Sequence, residues 1–160
     1  MPRYINGLGA LVRIFAEKAV ESRLMPRIVA ADAAEVLEGE VREAFGKSVS
    51  EGGRLADLAE ATQESRERRG FAPNEPLVET GALRESIESG VELGVDVIRA
   101  GVGSRSPVLA YHSVGYINAR TGKSVPPRNV FLAGLEEARP RIERAIGEVV
   151  TAFLSGKVEE

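Results

Sequence analysis

A histidine and a serine stand side by side in the second half of the chain, a pair of residue types that could act as base and nucleophile in hydrolysis. His112 is the only histidine of the chain, and Ser113 follows it directly. Adjacent residues seldom face each other as a base and its nucleophile must, and no Gly-x-Ser-x-Gly turn surrounds the serine. No orienting acid can be assigned. We favour a structural or interface histidine and keep a hydrolase as an alternative.

Two other patterns contain residue types found in reactive sites. Gly101-Val102-Gly103 resembles part of a phosphate loop, but no third glycine, no Gly-Lys-Ser/Thr and no helix follow where a nucleotide site needs them. Glu136 and Glu137 are neighbours in a predicted helix, so their carboxylates point apart, which suits solvation better than acid-base work. We therefore predict no catalytic residue, no cofactor and no metal site, and we expect the protein not to be an enzyme.

The composition restricts the chemistry further. The chain has 160 residues and no cysteine, which removes disulfides, thiolate ligands and cysteine nucleophiles and suits a reducing compartment. Since there is one histidine, a site built from several histidines is impossible within one chain. No run of roughly 18 apolar residues and no basic start followed by an apolar stretch occurs, so we expect neither a membrane span nor a signal peptide. The length predicts one domain.

The charges are unevenly distributed. The formal net charge is -3, yet the stretch from Val97 to Leu135 contains no acidic residue. A solvated basic loop is the simplest interpretation, and a contact surface for an acidic partner is the functional one. Nucleic acid is a weaker candidate because the chain is acidic and has few aromatic rings for stacking. The residues of the candidate assembly interface are Arg99, Arg105, His112, Arg120, Lys123 and Arg128.

Periodicity and turn residues divide the chain into elements. In the first half we predict an amphipathic helix from Leu11 to Leu24, a second helix from Pro26 to Gly46, a turn over residues 48–53, a polar helix over residues 54–69 and an extended connector over residues 71–76. In the second half we predict a short helix from Gly81 to residue 87 or 88, strands between residues 91 and 102, a strand or helical turn over residues 108–111, an exposed loop over residues 115–127 and a helix from Val130 to Leu154.

Two details of these elements stay open in the sequence. The strand residues fit either an antiparallel hairpin that turns near residues 94–96 or one bulged strand. Pro140 must break or kink the last helix near Ala138, because proline removes a helical hydrogen bond and clashes with the preceding turn.

Together the elements predict an α+β fold, with long helices packed on one face of a small antiparallel β-sheet, an extended loop and a C-terminal helix. A single domain covers residues 1–160. It comprises a helical N-terminal part and connector over residues 1–76, a core over residues 77–132 and the C-terminal helix over residues 133–156.

Four sequence boxes follow one another in the second half of the chain. They are residues 76–87 with a Thr-Gly pair, residues 102–104 (Val-Gly-Ser), residues 110–115 around the histidine, and residues 125–132 with two prolines. In this order, and with a helix following, they resemble the tail-completion or head-tail joining proteins of tailed bacteriophages, also called virion morphogenesis proteins, including the Mu-like branch. The residues that carry the resemblance are Leu77, Thr80, Gly81, Leu83, Ser86, Ile87, Tyr111, Gly115, Pro126, Pro127, Phe131 and Leu132.

The resemblance implies a non-enzymatic structural protein of the phage neck that completes the tail or joins it to the head. It would act as a ring, and as a hexamer once assembled. Its partners would be further copies of the chain and other neck, connector, tail-terminator or tail-tube proteins. DNA would be only passing cargo, and neither a membrane nor a small-molecule substrate is expected. The protein would be in the bacterial host cytoplasm before assembly and in the virion neck afterwards.

A ring needs a heterologous interface that closes. The cations of the candidate interface are suited to face an acidic row on the next subunit, and such complementarity steers assembly. The row consists of Glu35, Glu38, Glu40 and Glu43.

The boxes also suggest folding roles. Thr80 can cap the short helix, and Leu83 belongs to the side of that helix that faces the core. Arg128 offers a planar, always-charged fork to a carboxylate of a neighbouring subunit. Phe131 and Leu132 would anchor the last helix on the core.

Other functions remain open. Within the same phage module the chain fits a tail terminator or an assembly chaperone. From different classes, a small nucleic-acid-binding module would use the stretch from Arg99 to Arg128, and a hydrolase would use His112 with Ser113. Salt-dependent binding to DNA would favour the nucleic-acid module.

Overall fold

The computed structural model describes residues 25–94 and 98–155. The predicted helix from Leu11 to Leu24 and most of the predicted turn near residues 94–96 lie outside the described residues. The elements in chain order are α1 (Met25–Ala44), a 3₁₀ turn (Val49–Glu51), α2 (Glu60–Glu67), α3 (Ala82–Glu85), β1 (Ile87–Leu93), β2 (Ile98–Ser104), α4 (Pro107–Val114), β3 (Tyr116–Ile117), β4 (Ser124–Val125) and α5 (Val130–Ser155). The fold is α+β, as predicted.

The two long helices, α1 and α5, pack along each other. They approach closely at Gly134, where an added Cβ would lie 2.6 Å from the Cα of Val41. Glycine permits this contact because it has no side chain to separate the backbones. The buried cluster beneath the helices consists of Val41, Ala44, Phe45, Leu55, Ile87, Leu109, Val130 and Ala133.

Strands β1 and β2 form an antiparallel hairpin in which Ile87 pairs with Ser104 and Leu93 with Ile98. The hairpin interpretation is therefore confirmed, and the single bulged strand is wrong. Both strands pack against α1. Two polar contacts fix this packing, since Arg42 donates to the carbonyl of Ile87 at 2.8 Å and Glu38 accepts the backbone N–H of Ser89 at 2.9 Å. Helices thus cover one face of a small sheet.

The polar helix predicted over residues 54–69 is wrong in its first third, because α2 begins only at Glu60. Leu55 lies in a bridge with Ser48 and is buried in the core. Side chains bind the backbone next to it: Asn74 accepts the N–H of Leu58, and Arg128 donates to two carbonyls. These bonds replace the bonds that a helix would make.

The exposed loop predicted over residues 115–127 contains structure. β3 and β4 pair in antiparallel register, Tyr116 with Val125 and Ile117 with Ser124. The segment predicted as a strand or helical turn over residues 108–111 is the eight-residue helix α4, whose first residue is Pro107. Proline suits a first helical position because its fixed φ is helical and its missing N–H is not needed there.

Three predicted helix details need correction. Helix α3 ends at Glu85, and its N-cap residue is Gly81 with a φ of 78°, while Thr80 precedes the cap with its Oγ1 3.4 Å from the N of Ala82. Helix α5 is continuous through Pro140, so the predicted break is wrong, while the kink stays a prediction. Leu132 does not anchor α5, since its side chain is 52% exposed. No helix in the described ranges is long and apolar enough to cross a membrane.

Candidate functional site

The six residues of the candidate assembly interface do not form one site. Arg99 and Arg105 lie on and just after β2 and pair with Glu92 and Glu88 of the neighbouring strand. The other four residues belong to the segment from α4 to the start of α5. These four divide into an inner pair, His112 and Arg128, and an outer pair, Arg120 and Lys123.

Arg128 lies inside the domain and is only 5% exposed. Its Nε donates to the carbonyl of Ala56 at 2.6 Å and its Nη2 to the carbonyl of Asp57 at 2.5 Å. Burial lowers the pKa of the Arg128 guanidinium, while Tyr116 and Asp57 act in the opposite direction. Arginine nevertheless stays charged. The sequence predicted a fork free for a neighbour, but the whole fork of Arg128 is not free, because Nε and Nη2 hold the segment before α2 and only Nη1 has no hydrogen bond within the described residues.

His112 is half-buried beside Arg128. Its carbonyl accepts the backbone N–H of Arg128 at 2.6 Å, and its ring meets the ring of Tyr116 edge-on at 5.3 Å. Burial, and then the charge of Arg128, lowers the pKa of His112 below its ordinary value of 6.5. The imidazole is therefore neutral near pH 7, and its buried Nδ1 has no hydrogen-bond partner among the described residues.

The hydrolytic arrangement considered for His112 is not assembled. The Oγ of Ser113 donates to the carbonyl of Leu109 at 2.8 Å, which is a bond along α4. In the described part of the chain no hydrogen bond joins this hydroxyl to His112.

The adjacent carboxylates Glu136 and Glu137 both bind Arg54, at 2.6 and 2.8 Å, and thereby raise the pKa of that guanidinium.

A polar cluster lies where the 3₁₀ turn meets the segment before α2. Asn74, which is buried, donates through its Nδ2 to Ser48, Ser50 and Asp57, each at 2.9 Å. The Oγ of Ser50 also donates to Asp57, at 2.7 Å. Hydrogen bonds from Asn74 and then Ser50 lower the pKa of the Asp57 carboxyl to about 2. Asp57 is consequently an anion fixed in place by neutral donors.

A cavity of about 590 Å³ opens beside this cluster. Its wall contains two arginines that are almost fully buried, Arg66 at 4% and Arg128 at 5% exposure. Arg66 donates through its Nε to the carbonyl of Ala72 at 2.9 Å and lies over the ring of Phe71. The remaining wall is mixed, with apolar side chains from three regions of the chain: Leu77, Leu83, Tyr116, Val125 and Pro126.

A second region faces solvent, and we call it the outer face: Val108, Tyr111 and Val114 of α4, Ile117 of β3, and Arg120 and Lys123. Val108, Tyr111 and Val114 follow at intervals of three residues, which places them on one side of the helix. Tyr111, Val114 and Ile117 are 64%, 76% and 72% exposed. Exposed large apolar side chains that occur together are typical of a protein contact surface.

The turn over residues 118–123 holds the two outer cations. Its backbone closes with a bond from Asn118 N–H to the carbonyl of Lys123 at 2.9 Å, and the Asn118 side chain accepts the N–H of Arg120 at 3.0 Å. Arg120 and Lys123 are exposed, and within residues 25–94 and 98–155 neither forms an ion pair. Both cations are thus displayed on a fixed turn and left without an acidic partner.

The acidic row on α1 is mostly engaged within the chain. Glu38 pairs with Arg42 at 2.8 Å, Glu43 with Lys47 at 3.4 Å, and Glu40 with Arg141. Hydrogen bonding to Ser89 also lowers the pKa of Glu38. The row is therefore a poorer match for a neighbour's cations than the sequence suggested.

The residues that carry the family resemblance fall into two groups. Leu77, Thr80, Leu83 and Pro126 line the cavity. The others do not line it. Gly81 is the N-cap of α3, Ser86 is hydrogen-bonded to Ser104, and Gly115 lies close to Pro127. Ile87 is part of the core and Phe131 packs against it, whereas Tyr111 and Leu132 are exposed.

Sequence reasoning missed two residues of the cavity region, Arg66 and Asn74. Arg66 lies in a mixed charge run that reads as a solvated last turn of a helix, and Asn74 lies between two prolines in the connector. Their burial depends on contacts distant in sequence. Pro73 and Pro76 flank Asn74 and indicate a tight connector, in which an asparagine side chain often forms hydrogen bonds to nearby backbone. This pattern was the signal in the sequence for a structural role of Asn74.

Among the described residues, no group of three or more histidine, cysteine, aspartate or glutamate side chains is arranged to hold a metal ion. Comparison of the chain with protein-family models, with curated proteins and with solved structures found no significant match.

Proposed function

We propose that this protein is a non-enzymatic structural subunit of the neck of a tailed phage, which completes the tail or joins it to the head. Its copies form a ring, a hexamer in the assembled particle, and the ring contacts other neck, connector, tail-terminator or tail-tube proteins. The protein acts in the host cytoplasm before assembly and in the virion neck afterwards. DNA passes through without being bound as a ligand.

The order of the four sequence boxes supports the phage assignment, and the outer face supports the assembly role. The outer face is the single observation that carries the proposal. Helix α4 contains no Asp, Glu, Lys or Arg, yet it turns Val108, Tyr111 and Val114 to solvent. Burying these side chains against another protein would release about 25 cal/mol for each Å² removed from water.

The arrangement favours a contact with a different surface of the next copy. The outer face combines apolar side chains with Arg120 and Lys123, two cations that form no ion pair with the described residues, so it is not complementary to itself. An interface between unlike patches generates rings when the rotation closes. Because the acidic row on α1 is engaged within the chain, we assign the opposing patch to no particular residues.

The decisive test of the phage role is genetic. In the phage that encodes this chain, removal of the gene should leave filled heads and separate tails that do not join, visible by electron microscopy of lysates. Restoring the wild-type gene should restore joined particles, and restoring a Val114→Asp/Ile117→Asp form should not. Joined, infectious particles in the absence of the gene would contradict the proposal.

A matched control separates the outer face from a general effect of new surface charge. Val49 is a 58% exposed valine on the 3₁₀ turn. Val49→Asp therefore introduces the same charge on a comparably exposed valine outside the outer face. It should support joining as the wild-type gene does.

A further inference from the structure

The wall of the cavity beside the polar cluster contains two buried arginines that form no ion pair with any described residue. Arg66 and Arg128 both line it, and both are less than a tenth exposed. No carboxylate within the described ranges lies within 4.0 Å of either guanidinium. A buried charge is costly unless a partner of opposite charge compensates it.

The two acids that line the cavity, Asp57 and Glu79, form their close contacts with other groups, and Asp57 acts on Arg128 only at longer range. Asp57 accepts hydrogen bonds from Asn74 and Ser50, and Glu79 pairs with the exposed Arg69. The arginines, by contrast, retain donor capacity. Arg128 uses Nε and Nη2 on backbone carbonyls, and Arg66 uses Nε, so Nη1 of Arg128 and both terminal nitrogens of Arg66 have no partner in the part of the chain described.

From this geometry we propose that the cavity binds a carboxylate side chain of an acidic peptide segment from a partner protein, with Arg66 and Arg128 as its anchors. The two terminal nitrogens of Arg66 suit the paired, charge-assisted hydrogen bonds by which a guanidinium matches a carboxylate, and Nη1 of Arg128 can add a single one. The apolar wall of Leu77, Leu83 and Pro126 suits the aliphatic stem of such a side chain and its neighbours. Inorganic phosphate would meet the cations but leave that wall unfilled. The inference does not rest on the proposed function, because the cavity and the outer face share no residue.

The single histidine provides a direct readout. His112 lines the cavity, and the chain has one histidine, so its ring signals in an NMR spectrum are unambiguous. The probes are acetyl-Leu-Glu-amide, its neutral match acetyl-Leu-Gln-amide, and inorganic phosphate, each titrated into the full chain. We expect saturable shifts of the His112 signals with the glutamate probe, and at least about tenfold weaker binding of the glutamine probe.

Two variants test the site itself. Arg66→Gln should weaken the binding of the glutamate probe about tenfold to a hundredfold, because the substitution removes one charged anchor. Arg68→Gln, an exposed arginine two residues away that does not line the cavity, should bind as the wild type does. Since Arg66 is buried and its loss could unfold the chain, Thr62→Phe supplies a second test. Thr62 is exposed on α2 and lines the cavity, so the larger ring should block the probe in a folded protein.

The outcomes separate clearly. Selective binding of the glutamate probe that is lost in Thr62→Phe supports the inference. Equal binding of the glutamate and glutamine probes, tighter binding of phosphate than of the glutamate probe, or no shift of His112 up to the solubility limit would each overturn it. None of these results bears on whether the outer face mediates assembly.

Discussion

Arg128 and Arg120 belong to the same acid-free stretch of sequence, and the fold gives them opposite roles. Arg128 is buried and donates to the carbonyls of Ala56 and Asp57. Arg120 is exposed on a turn, and no ion pair forms to it in the described ranges. A cation of this stretch therefore contributes to the outer surface only where the fold leaves it exposed, as it does Arg120.

The same contrast extends to the regions around the two arginines. The inner region, formed by His112, Gly115 and Arg128, is closely packed and holds segments distant in sequence together. The side chains of the outer face, by contrast, are exposed. We expect changes in the inner region to act on folding, and changes in the outer face to act on association.

The largest expected effect on stability is at Gly115, which joins α4 to β3. Its φ of 76° and ψ of 165° are strained for any residue with a side chain, and an added Cβ would lie 2.8 Å from the carbonyl oxygen of Val125. Gly115→Ala should lower the free energy of unfolding by about 4 kcal/mol, as strain and overpacking add. Urea denaturation measures this value.

Gly122 is the matched control in the outer turn. It also has a positive φ, of 67°, but an added Cβ would meet nothing within 4 Å. Gly122→Ala should therefore lower the free energy of unfolding by only about 1 kcal/mol, because only the backbone conformation opposes the added methyl group. Equal losses for the two variants would show that the inner region is not closely packed at Gly115.

The next effect separates the two arginines. Arg128→Met should lower the free energy of unfolding by about 3 kcal/mol, because it leaves the carbonyls of Ala56 and Asp57 without their donors. Arg120→Met should change it by less than about 0.5 kcal/mol, as is usual for surface substitutions. Thermal denaturation of both variants under one buffer compares them, and similar melting temperatures would refute the distinction.

A smaller effect is expected from pH. Because the pKa of His112 is lowered in the folded state, the unfolded chain takes up a proton first as the pH falls below the ordinary value of 6.5. The contribution of the neutral His112 to the free energy of unfolding should thus be fully present above that pH and decline as the solution becomes more acidic. His112→Gln should remove this dependence between about pH 7.5 and 5.5. The melting temperature of each protein is measured across this pH range. If both melting temperatures change with pH in the same way, the lowered pKa of His112 is contradicted.

Much of the fold could be predicted from local sequence. Helical periodicity located α1 and α5, and alternation located the β1–β2 hairpin, since each signal arises within the element itself. The errors came from contacts between distant residues. The segment from Arg54 to Ala59 has helical composition, yet Arg128 and Asn74 bind its backbone and hold it extended.

The candidate site was less predictable for the same reason. The acid-free stretch drew attention to the segment that contains His112 and Arg128, but sequence alone could not distinguish a buried cation from an exposed one. Arg66 gave no signal, because a charged residue in a charged run is normally solvated. Its position beside Phe71 and Ala72 emerges only from the fold.

The central claim is that the outer face mediates assembly, and sedimentation equilibrium tests it most directly. We expect the full chain to associate reversibly as its concentration rises, and Val114→Asp/Ile117→Asp to remain monomeric with an unchanged melting temperature. Val49→Asp should associate as the wild type does. A wild-type chain that is monomeric throughout its soluble range, or a double variant that associates equally well, would contradict the account.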